Sequence, residues 1–96
     1  TSTNAAKLFG LYPSKGALAV GSDADITIFD PELSQQVENS MLKSKADYSV
    51  YEGWTVTGWP VTTIRRGEVV YRDGQVIGAP GTGQLVARGQ TQAKTL

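Results

Sequence analysis

The pattern of apolar and polar positions predicts structure most clearly between Trp54 and Gly78. Val61 to Arg65, Glu68 to Arg72 and Gln75 to Ile77 form three β-rich runs, separated only by Arg66-Gly67 and Asp73-Gly74. Asp-Gly between such runs signals a type I′ hairpin turn, because both central residues need positive φ. Arg-Gly is a weaker signal, and here Gly67 is expected in the left-handed position of a type I turn with a bulge. The three runs then predict a tight antiparallel meander. A two-residue loop at Asp73-Gly74 pairs Tyr71 with Val76 and Val70 with Ile77. Apolar side chains would then emerge on both faces, whereas a sheet with one wet face alternates cleanly. Something outside the meander is expected to cover the second face.

Upstream, Ala24 to Asp30 reads as a strand, with Ile26 and Ile28 on one face and Thr27 and Phe29 on the other. Pro31 is expected to stop it. Gln35 to Glu38 resembles a short edge strand, and Asn39 to Tyr51 a loop. Thr1 to Gly10 predicts one short helix. Ser2 or Thr3 would cap it, Leu8, Phe9 and Leu11 would anchor it, and Gly10 would take the left-handed position at its end. Lys15-Gly16 and Gly21-Ser22 read as turns. From Ala79 onward the chain turns polar and Gly/Pro-rich, as an arm or loose terminus would.

The chain has 96 residues, enough for one small domain with a modest core. Nine basic residues balance nine acidic ones, so no basic surface invites nucleic acid or an anionic membrane. No apolar run approaches the roughly 20 residues of a membrane helix. Cysteine is absent, which fits a cytoplasmic protein. Histidine is absent too, which removes the usual general base and the commonest metal ligand. The Ser-His-Asp and Cys-His arrangements are therefore excluded. A first residue already at a helix cap suggests part of a longer protein.

Several groups can be weighed as sites. Asp23 and Asp25 could share a hard cation, but Gly21-Ser22-Asp23 is also ordinary turn chemistry, which is favoured. Gly81-Thr82-Gly83 suggests a phosphate loop, yet Val86 stands where a dinucleotide fingerprint needs glycine. A connector is the default there. Asp47 and Glu52 have no spacing that supports paired acid–base work. Arg65-Arg66 reads as a solvated hairpin tip. Tyr48, Tyr51, Trp54 and Trp59 suggest an aromatic cluster for packing or an interface. No catalytic, cofactor-binding or metal-ligating residue is assigned.

Read in order, Asn4-Ala5-Ala6-Lys7-Leu8-Phe9-Gly10-Leu11-Tyr12-Pro13, Val20-Gly21-Ser22-Asp23-Ala24-Asp25-Ile26, Tyr51-Glu52-Gly53-Trp54, Gly58-Trp59-Pro60-Val61 and Arg66-Gly67-Glu68-Val69-Val70-Tyr71-Arg72-Asp73-Gly74 resemble the C-terminal part of the cyclic amidohydrolases. Tyr-Glu-Gly-Trp leans toward the hydantoinase and dihydropyrimidinase branch.

The resemblance implies a mainly β segment: part of the composite β-sandwich of metal-dependent hydrolases, an antiparallel meander plus one short N-terminal helix. It further implies residues 1–11 as the terminal helix of a barrel domain, 12–80 as the sandwich part and 81–96 as a flexible arm or tail. The parent would hydrolyse C–N bonds of cyclic amides with a binuclear, zinc-like divalent metal held in its barrel. Neither the family's His-x-His pair nor its other ligand motifs occur here, and Lys7, Lys15 and Asp25 match none of them. The segment alone is thus expected to be inactive, bracing the barrel and a homo-oligomer. The alternative is a stand-alone β-rich interaction module, or a related scaffold without catalysis.

Overall fold

The computed structural model describes residues 1–90. It is mainly β: one short helix, α1 (Thr3–Leu8), precedes four strands, β1 (Ile26–Gln36), β2 (Thr55–Arg65), β3 (Glu68–Arg72) and β4 (Gln75–Val76). The strands form one antiparallel sheet in the order β1-β2-β3-β4. Strands β2, β3 and β4 are the meander anticipated from the turns, and β1 adds a fourth strand beside β2 that the turns did not place.

Asp73-Gly74 behaves as expected. Both residues have positive φ, at 50° and 85°, and Tyr71 pairs with Val76 across the turn. At Arg66-Gly67 the expected type I turn is not formed. Arg66 has φ 47° and Gly67 φ 81°, so both central residues are left-handed and Arg65 pairs directly with Glu68. The bulge lies farther along β3, at Val70, between the Thr63–Tyr71 and Ile64–Val69 pairs. The right-handed twist of the strands favours the mirror-image turn even without Asn or Asp at its first position.

Pro31 does not end β1, contrary to expectation. The register moves from Asp30–Trp59 to Ser34–Thr57, so residues 31–33 bulge opposite Gly58. A bulge asks no ladder donor of proline, and the Asp30 carboxylate accepts the Glu32 N–H at 2.9 Å. The short strand expected at Gln35 is thereby continuous with β1. Likewise β2 begins at Thr55 rather than Val61 and carries Pro60, which pairs with Phe29 beside a second register shift.

Ser2 precedes α1 without capping it, and the Thr3 hydroxyl instead donates to the Gly16 carbonyl at 2.7 Å. The helix is anchored by Ala6 rather than by Leu8 and Phe9, which are 39% and 54% exposed. A Cβ on Gly16 would stand 2.7 Å from that of Ala6, so glycine lets the turn lie directly on the helix. Gly10 adopts φ +74° after the helix, as its position suggested.

Ala6 and Val37 are the only buried hydrophobic side chains among the described residues. Ile28, Phe29, Val76 and Ile77 are each about half exposed. Among the described residues neither face of the sheet is sealed from solvent, although the segment around Met41 and Leu42 lies over part of one. Residues 79–90 contain neither helix nor strand, and residues 91–96, the rest of the expected arm, lie outside the described residues.

Candidate functional site

Three constellations bring together residues distant in sequence. The first centres on Lys15, whose turn carries it toward the start of β1. Its ammonium pairs with Asp25 and, at 2.9 Å, with Asp23. The other oxygen of Asp25 accepts the backbone N–H of Arg66 at 2.9 Å. The two carboxylates weighed as a cation site thus hold the lysine of the same chain, and the ammonium stands where a hard cation would. The Asp25 carboxyl is held below its ordinary range, first by the Lys15 hydrogen bond and then by the Arg66 N–H. Lys15 is raised, chiefly by Asp25 and next by Asp23. The cluster ties the 13–25 segment to the β2–β3 hairpin, where the Gly67 N–H also donates to the Ala24 carbonyl at 3.0 Å.

The second is a cleft of about 420 Å³ between the 3₁₀ turn at Asn39–Met41 and one sheet face. Leu33, Met41, Leu42, Trp59, Val61 and Tyr71 line it. Its walls are mostly apolar. Gln35, Lys43 and Asp73 also line it, but no hydrogen bond or ion pair joins them, so it offers packing surface rather than an assembled acid–base site.

The expected four-membered aromatic cluster does not form. Tyr51 and Trp54 meet edge to face at 5.3 Å, while Trp59 lies in the cleft and Tyr48 is 70% exposed. Tyr51 and Trp54 flank the Glu52-Gly53 turn, whereas Trp59 stands farther along β2, paired with Asp30. Nor do Asp47 and Glu52 act as a pair: the Glu52 carboxylate accepts the Asn39 N–H at 2.5 Å, and nothing joins Asp47 to it.

The third joins two motifs read separately in the sequence. Arg65 and Arg66 both reach Thr82 of the Gly-Thr-Gly segment, Arg65 at the hydroxyl oxygen and Arg66 at the carbonyl, 2.7 Å away. Their adjacency at the hairpin tip was visible in the sequence; the long-range return of Thr82 was not.

Among the described residues, no three His, Cys, Asp or Glu side chains gather as a metal's ligand set would require. The residues present therefore do not fit the divalent metal that the resemblance implies. Nor is any helix among them long and apolar enough to cross a membrane.

Comparison with known proteins gives this geometry a context. The amidohydrolase family model matches residues 1–70. The D-hydantoinase of Geobacillus stearothermophilus is 51% identical over 87 residues, which are 91% of this chain and 18% of that protein. The D-hydantoinase of Rhizobium radiobacter is 46% identical over 86 residues, 90% of this chain and 19% of that protein. Among solved structures, the dihydropyrimidinase of Brevibacillus agri superposes with a TM-score of 0.89 at 42% identity, covering 95% of this chain and 20% of that one. The L-hydantoinase (dihydropyrimidinase) of Arthrobacter aurescens gives 0.83 at 49% identity, over 88% of this chain and 19% of that one. The chain spans about a fifth of the length of these relatives. On the family match, and with relatives among hydantoinases and dihydropyrimidinases, the chain belongs to the amidohydrolase family.

Proposed function

We propose that this chain is a non-catalytic C-terminal portion of a cyclic-amide hydrolase of the hydantoinase and dihydropyrimidinase type. Its sheet forms half of a β-sandwich whose other strands come from elsewhere in the parent. Residues 1–11 close the parent's barrel, 12–80 build the sandwich half, and the chain from residue 81 is its tail. The divalent metal implied for such a parent would be held by its barrel, outside this segment, where it would supply Lewis-acid chemistry. The segment braces that barrel and contributes to a homo-oligomer.

One observation carries the reading: Ala6 and Val37 are the only buried hydrophobic side chains among the described residues. A fully buried valine contributes about 1.5–3 kcal/mol, whereas ordering each backbone residue costs roughly 1–2 kcal/mol. A sheet this bare on both faces needs further protein against it. The similarity to hydantoinases supports the kind of parent.

The test is a hybrid enzyme in which this segment replaces the matching fifth of the Geobacillus stearothermophilus D-hydantoinase. A folded hybrid that hydrolyses hydantoin when loaded with zinc or manganese supports the reading. A folded, metal-loaded hybrid without activity would sink it. So would metal-dependent turnover of hydantoin or dihydrouracil by this segment alone.

A further inference from the structure

The strongest unexplained charge in the fold lies at the β2–β3 hairpin tip. Arg65 and Arg66 form no salt bridge among the described residues. Asp25 meets Arg66 through the backbone N–H, and its charge is taken by Lys15. Both guanidinium groups point to one residue, Thr82, and both find only neutral oxygen there. The Thr82 hydroxyl spends its proton on the Ala79 carbonyl at 3.0 Å, so only its lone pairs face Arg65. The Nε of Arg65 is buried and without an acceptor. A buried unpaired donor costs about 1–3 kcal/mol, and more on a charged group.

Two forked cations side by side, with a donor to spare, match the several acceptor oxygens of a phosphate group. Thr82 presents two oxygens from one residue, as one edge of such an anion would. The segment can yield. Gly81 has φ +78°, and neither Gly81 nor Gly83 has any atom near the place a Cβ would occupy.

We infer that Arg65 and Arg66 form a phosphate-binding site, with Thr82 as its internal placeholder. The ligand is inorganic phosphate or the phosphoryl group of a small ester. When it binds, its oxygens replace those of Thr82, and the 81–83 segment moves outward. Arg65 gains an acceptor for Nε, and two unneutralised cations gain a counter-charge. The site lies within this chain, so it stands or falls independently of the parent's reaction.

Isothermal titration calorimetry on the full-length protein carrying this segment tests it, with inorganic phosphate and phenyl phosphate as separate probes. Arg66→Asn removes one guanidinium while keeping a residue that tolerates positive φ. It should weaken phosphate binding about tenfold or more, the loss of one charge-assisted contact. Thr82→Val removes the competing hydroxyl and should bind phosphate as tightly or more tightly. Binding of both probes assigns the site to phosphate esters; binding of inorganic phosphate alone assigns it to the free ion. Equal affinity in wild type and R66N, loss of binding in T82V, or no binding of either probe at millimolar concentration would overturn the proposal.

Discussion

The backbone N–H of Gly89 donates to the carbonyl of Gly10 at 2.6 Å, joining the described ends of the chain. Beside it, Nε of Arg88 donates to the Phe9 carbonyl at 3.1 Å. The tail thus satisfies carbonyls just beyond α1, and its cation sits at the end where the helix dipole is negative. The crossing is close because neither residue has a side chain. A Cβ on Gly10 would overlap the Gly89 carbonyl oxygen.

Gly10→Ala should therefore break the crossing and place alanine at φ +74°. We expect a loss of about 1–3 kcal/mol, the cost of a strained backbone conformation, measured by urea unfolding of the full-length protein. Gly89→Ala should cost less, because its Cβ would remain 3.2 Å from the nearest atom, the Gly10 carbonyl oxygen. An unchanged midpoint for Gly10→Ala would show that the tail leaves the helix in solution.

Gly58 presents a second close approach. It has φ +99°, and a Cβ there would lie 2.6 Å from Cζ of Phe29. Gly58→Ala must both strain the backbone and displace the ring from the β1–β2 bulge. A destabilisation of about 1–3 kcal/mol is expected. The Phe29→Ala background should reduce that cost by removing the clash, leaving the φ penalty. Identical costs in both backgrounds would count against the ring contact.

The Lys15–Asp25 pair predicts two limbs of pH dependence. Asp25 titrates lower in the folded chain, so its contribution is present above the ordinary carboxylate range and is lost as pH falls through its depressed value. Lys15 titrates higher, so its contribution is present below the ordinary lysine range and is lost as pH rises through its raised value. Between about pH 5 and 9 the pair should be indifferent to pH. Asp25→Asn should flatten part of the acid limb and loosen the Arg66 turn, read by amide exchange at Arg66 across a pH series. An acid limb identical to wild type would remove Asp25 from the account. The groups are largely solvated, so the effect should shrink in high salt.

At the Asp73-Gly74 hairpin, Asp73→Asn should be nearly neutral, because asparagine tolerates the left-handed region. Gly74→Ala should cost about 1 kcal/mol at φ +85°. Chemical denaturation of the full-length protein distinguishes them, and equal midpoints would mean that β4 contributes nothing to the cooperative unit.

The meander was legible because turn chemistry is local. Asp73-Gly74 encodes its own mirror-image turn, and two-residue loops set the register of what they join. The family was legible in runs such as Val20 to Ile26 and Arg66 to Gly74. The bareness of the sheet was also foreshadowed, by apolar residues on both of its faces.

Other features depended on partners far along the chain. Pro31 remains within β1 because residues 31–33 bulge opposite Gly58, where the ladder asks no donor of proline. Asp23 and Asp25 looked like a cation site until the turn at Lys15 brought its own ammonium to them. Arg65-Arg66 and Gly81-Thr82-Gly83 looked like a solvated tip and a connector, yet β4 returns the chain so that they meet.

The sequence by itself determined the hairpins, the absence of histidine and cysteine chemistry, and the family. Tertiary structure alone decided which charges were already spent and which were left over. Hydrogen bonds and ion pairs between remote residues depend on how the chain returns to itself, and local pattern does not encode that path.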